Sequence, residues 1–438
     1  MNRPGRRVAW EPATACRVRA WLAAALAAAS VSGPGRVAGA EWLLEPAMSS
    51  RLEYTDNYGL TPVNPQATWV GSAGVDLAVS RNTETLRLRA GTSLYYSYYS
   101  NRVLQPAQQG YPSVFFNGEY RQPRATYGLA LRFQREPAVT SELATTGVAL
   151  PQSAVRDTWT VAPSWSYSAT ARLGFSASYL LTDASFQDSP QQGLFDYTNQ
   201  ALSAGASYRL TEYDTVSVTA TASRYETNPE TRESDTTSAQ LAWSRAVSET
   251  LLASVSYGVS DTRTTIFQNV VFCPAPLILC QLGFVPLETA RASAEVRSRS
   301  PIWSASLSKQ LSAATSLLAQ LRSDRYASAT GFLTKSETAS IALSHAMSAR
   351  LNASIGASYV DADTGGTSVA QGIPVLSPQG TRYLAVEPGL TWQVLPELSL
   401  TAGARHARLE NRANSSTATA NTAFVGLRYA WPRSRIRW

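Results

Sequence analysis

Hydrophobic and polar residues alternate one by one along much of this chain. Between Ala239 and Ser260, large apolar residues such as Leu241, Trp243 and Tyr257 share one parity, and small or polar residues share the other. Side chains of a β-strand point to opposite faces in turn, so this stretch predicts two strands that each have one apolar and one polar face. The short turn at 247–250 joins the two strands into a β-hairpin.

The same hairpin pattern recurs along the chain, with short turns predicted at 210–214, 311–315, 347–350 and 394–397. A hairpin whose second face carries Ser, Gly, Arg and Asn cannot bury that face against another sheet, because its polar groups would lose their water. It fits a closed sheet with lipid outside and water inside. We therefore predict an all-β fold, an antiparallel transmembrane β-barrel. A secreted β-sandwich or an adhesin array is the soluble alternative.

Alternation and turn signals predict eight short turns and nine longer loops, and hence about 18 strands, with 16 as the alternative count. An even number of strands returns the chain to its starting side. We expect both termini and the short turns in the periplasm of a Gram-negative cell, and the longer loops outside. The pattern predicts one barrel domain over residues 41–438, with a long extracellular loop at 261–290 and a short tail at 432–438.

Residues 1–40 have the features of a secretory signal peptide. Arg3, Arg6 and Arg7 begin a basic region, the apolar run 21–31 follows, and 38–40 is an A-x-A cleavage site. Removal of this leader takes away six arginines and one glutamate, so that the formal net charge falls from +7 to +2. The basic character therefore belongs mainly to the leader, and nucleic acid is not expected as a partner.

Two cysteines remain after the leader, Cys273 and Cys280, in the Pro-rich segment 271–286. Their close spacing in an exported chain predicts a disulfide that closes a small loop. No histidine or carboxylate lies between them, so a metal site is not expected there.

Charged residues fall on the polar parity of the predicted strands. Arginine in the middle of the lipid-facing band costs about 2–4 kcal/mol, which assigns this parity to the interior. The expected lumen residues are Arg51, Glu53, Asp76, Arg87, Arg89, Glu119, Arg132, Arg322, Arg405 and Arg428. Two interpretations stay open: these charges satisfy one another across a wide bore, or they orient water and sort passing solutes.

The sequence offers little for catalysis. Its two histidines, His345 and His406, lie close to apolar residues in their strands, which favours a structural or interfacial role. Nucleotide, redox and metal motifs are missing, and the acidic stretch 361–366 has no glutamate at the position that a calcium loop requires. We predict no enzyme activity, no cofactor and no metal, and we interpret 361–366 as a solvated loop tip.

The chain ends in an amphipathic strand followed by Ile436 and Trp438. A terminal aromatic residue after such a strand resembles the signature that the outer-membrane assembly machinery reads, although Pro432 and the basic run after it depart from that pattern. We expect this machinery and the lipids of the outer membrane as partners.

The stretch 51–57 (RLEYTDN), the Leu-Ser/Thr-x-x-x-Leu turns such as 311–317, and the stretch 297–301 (RSRSP) resemble a group of outer-membrane barrels. These barrels are associated with exosortase/PEP-CTERM and exopolysaccharide systems. The resemblance covers most of residues 41–438 and implies a porin-like channel or conduit in such a system, with exopolysaccharide or export components as partners. The alternative is a structural or docking barrel whose extracellular loops bind a surface partner without transport.

Overall fold

The computed structural model describes residues 42–102, 104, 110–138, 143, 154–187, 194–228, 231–274, 280, 286, 288–328, 333–370, 373–412 and 414–436. The predicted signal peptide lies outside the described residues. Within them, no helix has both the length and the apolar character needed to cross a membrane.

The described chain is almost entirely β-structure. Nineteen strands follow one another: β1 (Trp42–Thr55), β2 (Thr68–Asn82), β3 (Leu86–Tyr99), β4 (Gly110–Arg121), β5 (Ala125–Pro137), β6 (Val155–Ser168), β7 (Leu173–Phe186), β8 (Asp196–Arg209), β9 (Asp214–Asn228), β10 (Arg232–Ser248), β11 (Leu251–Phe272), β12 (Glu288–Ser312), β13 (Thr315–Ala327), β14 (Leu333–Ala346), β15 (Leu351–Ala370), β16 (Ile373–Gln393), β17 (Leu398–Asn411), β18 (Ser416–Ala430) and β19 (Ser434–Ile436).

Strands β1 to β18 form one closed antiparallel barrel. Each strand pairs with its neighbours in the sequence, and β1 pairs with both β2 and β18. The closing pairs run from Ala47 opposite Ala430 to Thr55 opposite Thr422. The prediction of an antiparallel barrel with about 18 strands is thereby confirmed. Closure leaves no free long edge around the wall, which is the condition for crossing a bilayer with strands.

The predicted tail at 432–438 needs a correction. Residues 434–436 form the short strand β19, which pairs antiparallel with the start of β1, so that Ile436 lies opposite Trp42. The backbone of Trp42 to Leu44 would otherwise have a partner on one side only, because the pairing of β1 with β18 stops at Ala47. Trp438 lies outside the described residues.

Eight short turns lie at one end of the barrel, here called the turn end, and the other nine connections between β1 and β18 lie at the opposite loop end. Side-chain hydroxyl groups shape several turns: the Oγ1 atom of Thr211 accepts hydrogen bonds from the N–H groups of Tyr213 and Asp214, at 3.1 and 3.0 Å. The sequence predicted that all nine loop-end connections are longer loops, and this is wrong for some of them. Only residues 229–231 separate β9 from β10, and only 371–372 separate β15 from β16.

The segment 261–290 is not a long loop. Strand β11 continues to Phe272 and β12 begins at Glu288, so the connection is limited to residues 273–287. The stretch 361–366, interpreted as a loop tip, also lies inside a strand, β15. The β11–β12 and β15–β16 hairpins have polar residues on both faces near their loop-end tips. The loss of apolar alternation marks where the strands leave the apolar band, and does not mark where they end.

Contacts between strands that are not neighbours identify the inner face of the barrel. A recess of about 500 Å³ is lined by residues from β1 to β6, mainly on one parity, including Glu45, Ser80, Arg89, Asn117 and Ser164. Only the concave side of a closed sheet can bring side chains of six successive strands around one space. This parity therefore faces the interior.

Candidate functional site

All ten charged residues expected in the lumen lie on the inward parity. The register places Arg51 opposite Gly426 and Ser72, Asp76 opposite Ala47, and Arg87 opposite Glu119. Glu53, Arg89, Arg132, Arg322, Arg405 and Arg428 occupy the same face of their strands. The interior is thus the natural candidate for a functional site.

Several of these charges satisfy one another. Arg428 donates a hydrogen bond of 3.0 Å to Asp76, and the hydroxyl group of Tyr95 donates one of 2.9 Å to the same carboxylate. Arg51 and Glu53 form an ion pair of 2.7 Å on one strand. The Arg51 guanidinium also lies over the Phe424 ring, 3.6 Å from its centroid. Half of the Arg428 side chain remains exposed, so these groups line open space.

Two predicted lumen arginines have no such partner. Within the described residues, the side chains of Arg87 and Arg132 make no hydrogen bond or ion pair, and both are exposed. Glu119 lies opposite Arg87 but bonds Arg121 on its own strand. Arg132 lies between Phe115 and Thr160, which carry no charge.

Arg322 and Arg405 lie apart from the charges on β1 to β5. Arg322 pairs with Asp324 on its own strand at 2.7 Å. Arg405 donates a hydrogen bond to the Tyr383 hydroxyl group, and its Nε atom lies 4.0 Å from Glu387. The interior therefore does not bring all ten residues into one cluster.

The inward positions of β7 to β12 carry mainly hydroxyl, amide and small side chains. Hydroxyl groups pair across strands there, as in Ser254 with Ser306 at 2.7 Å and Ser203 with Thr221 at 2.9 Å. Among the side chains that the structure describes on this part of the inner wall, the charged ones are Arg209 and Arg232, both near strand ends. The bore thus has a charged arc, β16 to β18 with β1 to β5, and a hydroxyl arc, β7 to β12.

Buried apolar side chains cover the inner wall near the loop end. On β15 to β18 the inward residues Val360, Tyr383, Leu409 and Ala420 form a buried cluster. Leu143, from the connection between β5 and β6, is buried in the same cluster. Because β5 and β6 lie far from β15 to β18 around the wall, Leu143 packs on a part of the inner wall distant from its own strands.

A second buried cluster lies on β7 to β9, where Ala184, Phe186, Tyr197 and Tyr225 face inward. Ala138 and Ala154, at the two bases of the β5–β6 connection, belong to this cluster. Ala327 and Leu333, which flank the β13–β14 connection, pack against it. Leu143 and the residues that flank these two connections therefore pack on the inner wall at the loop end. We call the two clusters together the loop-end layer.

The β1–β2 connection extends this covering. The hydroxyl groups of Tyr58 and Tyr99 lie 3.0 Å apart, and the two rings meet edge to face at 5.3 Å. Burial against this ring raises the pKa of Tyr58 to about 12. The hydroxyl group therefore stays protonated and remains a hydrogen-bond donor in the range where proteins function.

The outer face of the barrel carries a band of exposed apolar side chains. Leu202 is 57 % exposed, and similar aliphatic residues occupy neighbouring outward positions. Aromatic rings border the band: Tyr54, Trp69, Tyr98 and Trp159 towards the loop end, and Tyr120, Tyr127, Trp165, Tyr208, Trp243, Trp392 and Trp431 towards the turn end. An apolar band between two aromatic girdles is typical of barrels that cross a bilayer.

Charged residues replace the apolar ones on the outer face nearer the loop end. On β11 the continuous band of outward apolar residues ends at Val259, which is followed on the same face by Asp261 and Arg263. The Nε atom of Arg297 donates to Asp261 at 3.0 Å. Arg382 bonds Asp361 in the same way at 3.3 Å on β15 and β16. These pairs mark the height at which the outer wall meets water.

The two histidines do not approach one another. The Nδ1 atom of His345 lies 2.8 Å from the hydroxyl oxygen of Thr315, and that of His406 lies 2.8 Å from the amide oxygen of Asn421. Both histidines lie on the outward parity. No group of three or more potential metal ligands occurs in the described part of the chain.

A disulfide joins Cys273 and Cys280, whose Cα atoms are 6.1 Å apart. It lies in the connection at the tip of the β11–β12 hairpin. The bond closes a short loop beyond the outer charged pairs, well away from the interior arginines.

Three functional candidates of the interior were not anticipated from the sequence. They are Glu45, Glu387 and Arg433. Glu45 accepts a hydrogen bond from Arg89 at 3.3 Å and forms an ion pair with Arg433 at 3.0 Å. Glu387 faces Arg405. Strand parity alone would have placed both glutamates inside. The position of Arg433 could not be read from parity, because it follows the end of β18.

The chain matches no known protein family, and no curated protein matches its sequence. Its fold is similar to that of solved outer-membrane proteins. OpdK of Pseudomonas aeruginosa, solved with vanillate, aligns with 89 % of this chain and 99 % of its own at 12 % identity and a TM-score of 0.45. OccK2 (OpdF) of the same organism aligns with 88 % of this chain and 98 % of its own, at 13 % identity and a TM-score of 0.45.

The alcaligin receptor FauA of Bordetella pertussis aligns with 88 % of this chain and 76 % of its own, at 12 % identity and a TM-score of 0.41. At this distance the likeness concerns the closed-barrel fold and extends no property of those proteins to this chain.

Proposed function

We propose that this chain is a channel of the Gram-negative outer membrane, with no catalytic step, through which solutes diffuse between the turn end and the loop end. The observation that carries the proposal is the exposure of charged side chains such as Arg51 and Arg428 inside a closed barrel. Charges in a packed interior would be buried and fully paired. An 18-stranded barrel is instead too wide for its own side chains to fill.

The outer surface supports insertion into a bilayer. A protein with such an exposed apolar band between aromatic girdles would aggregate in water, whereas the acyl chains of a bilayer can solvate the band. The charged pairs beyond Val259 fit the polar surface of the membrane. The expected orientation has the turn end and both termini in the periplasm, and C-terminal residues Ile436 and Trp438 would be read by the outer-membrane assembly machinery.

The loop-end layer gives the proposed channel its narrow point. Leu143 and the bases of the β5–β6 connection are buried against opposite parts of the inner wall. Solutes would have to pass beside this connection, whereas the half of the bore nearer the turn end is lined by exposed polar groups. The channel would thus be a wide vestibule with a restricted exit.

Planar-bilayer recording tests the proposal directly. Full-length protein, purified in detergent and shown to be folded by heat modifiability, should give discrete single-channel steps that scale with the salt concentration. Correctly folded protein that inserts into the bilayer but passes no current would overturn the proposal. The oligomeric state in detergent-free buffer provides a second test. A barrel with this apolar exterior should aggregate there, and protein that stays folded and monomeric would contradict the proposal.

The biological context that we propose is an exopolysaccharide or PEP-CTERM surface system, with export components as partners. Its support is the sequence resemblance at 51–57 and 297–301. Of these residues, Arg51 and Glu53 face the bore, whereas Arg297 lies on the outer face. Deletion of the gene should lower the amount of surface polymer or of sorted surface protein in a strain that makes them.

A docking function remains the second candidate, and the β11–β12 hairpin is the observation that favours it. Asp261 to Phe272 on β11 span roughly 35 Å of strand beyond Val259, where the continuous band of outward apolar residues ends. A hairpin of that reach is suited to contact a surface partner. Removal of 264–296 should abolish binding of a surface partner if the barrel is a dock, and should leave single-channel conductance in place if it is a channel that does not use this hairpin.

A further inference from the structure

The charged arc is not electrically balanced at its turn end. The recess between β1 and β6 is lined by Arg87, Arg89 and Arg433 together with the carboxylates of Glu45 and Glu119. Glu45 is bonded by Arg89 and Arg433, and Glu119 is bonded by Arg121. Each carboxylate facing the recess thus already has an arginine, and Arg87 has none.

Arg132 adds a second unmatched guanidinium to the same wall. It lies one inward position beyond Ala130, which lines the recess, and its cross-strand neighbours Phe115 and Thr160 are uncharged. The described residues provide no hydrogen bond or ion pair for Arg87 or for Arg132. The recess therefore has an excess of positive charge that protein groups do not neutralise.

We propose that this recess is a binding station for small carboxylate-bearing solutes, with Arg87 as the residue that holds the carboxylate. Arg132, four positions along β5 from Gly128 of the recess, attracts the anion towards it. A guanidinium group presents parallel N–H donors that match the two oxygens of a carboxylate. Asn82, Asn117, Ser80 and Ser164 line the same recess and can bond hydroxyl groups of the solute. The inference rests on the proposed channel function and names the solute class of its vestibule.

Selectivity under a salt gradient tests the charge of the station. With potassium chloride at two concentrations, the reversal potential of the wild-type channel should show that chloride permeates better than potassium. The double variant R87Q/R132Q should lower this permeability ratio by roughly twofold or more, because the unpaired charges are lost. Arg209→Gln is the matched control, since Arg209 also faces inward beside a turn but lies on the hydroxyl arc. It should lower the ratio by less than the double variant does.

Calorimetric titration of the folded protein in detergent tests the chemistry of the station, with glucuronate and glucose as a charged and a neutral probe of similar size. Glucuronate should bind and glucose should not. R87Q/R132Q should weaken glucuronate binding by roughly tenfold or more. R87K/R132K should keep the anion preference in the bilayer but bind glucuronate more weakly than wild type, because lysine lacks the planar fork.

The two measurements separate the two proposals. A conducting channel that prefers potassium, or one whose selectivity changes equally in R209Q and R87Q/R132Q, overturns the station and leaves the channel standing. Folded protein that binds glucuronate through Arg87 and Arg132 but never conducts overturns the channel and supports the station. Equal binding of glucose and glucuronate also overturns the station. Heat modifiability shows for each variant that the barrel has folded.

Discussion

The hydroxyl group of Tyr225 donates a hydrogen bond of 2.9 Å to the backbone carbonyl oxygen of Ser328. Tyr225 faces inward from β9, whereas Ser328 follows β13, four strands further along the wall. Both residues are buried. The bond therefore fixes the base of the β13–β14 connection to the cluster on β7 to β9.

Loss of this hydrogen bond should loosen the narrow point of the proposed channel. Tyr225→Phe removes the hydrogen bond to the buried Ser328 carbonyl, and such a loss costs about 1–3 kcal/mol. We expect more frequent open events and a higher mean single-channel conductance in planar bilayers. Tyr257→Phe is the control, because Tyr257 is 64 % exposed on the outer face. Equal conductance in wild type and Y225F would show that the β13–β14 connection does not restrict the bore.

Leu143 is the other anchor of the loop-end layer. It is buried among inward residues of β15 to β18 although it belongs to the β5–β6 connection. Leu143→Ala should weaken this docking by about 2–5 kcal/mol. The released connection should raise conductance and speed cleavage by a glutamyl endopeptidase after Glu142. Val63→Ala tests the same kind of truncation at a connection residue that is 72 % exposed, and should change neither readout.

The wall of the barrel could be predicted from the sequence because strand alternation is a local property. One parity of β5 reads Tyr127, Leu129, Leu131 and the other reads Gly128, Ala130, Arg132, and lipid outside with water inside fixes which parity faces inward. Turn positions followed from the same pattern, since each short turn interrupts the alternation. The number of strands followed from the turns.

The loop-end layer could not be predicted in this way. Nothing in the alternation around Leu143 shows that this residue packs against Tyr383 or Ala420, because such contacts join segments that are distant in the sequence. The ends of β11, β12, β15 and β16 were also missed, since strands above the membrane need no apolar face. The pairing of Arg428 with Asp76 likewise depends on the register around the closed wall.

Gly258 marks a close approach between β10 and β11. A Cβ atom added there would lie 2.2 Å from the backbone oxygen of Ala239, which is a hard clash with main chain. Gly356 also faces inward, but a Cβ atom added there would have no neighbour within 4 Å. Gly258→Ala should therefore lower the temperature at which the barrel loses heat modifiability, whereas Gly356→Ala should not. Equal melting of the two variants would contradict the register assigned to β10 and β11.

Leu202 and Leu180 test which face of the wall meets lipid. They lie on the adjacent strands β8 and β7, but Leu202 faces outward opposite Tyr179, whereas Leu180 faces inward opposite Ala201. Arginine at Leu202 would have to enter the apolar band, at a cost of about 2–4 kcal/mol. Arginine at Leu180 would enter the water-lined bore, where other arginines already lie. We therefore expect Leu202→Arg to reduce the yield and unfolding free energy of the barrel in lipid vesicles, and Leu180→Arg to be tolerated. If the two variants were equally stable, or if Leu180→Arg were the weaker one, the assignment of the two faces would be wrong, and with it the proposal of a water-filled channel.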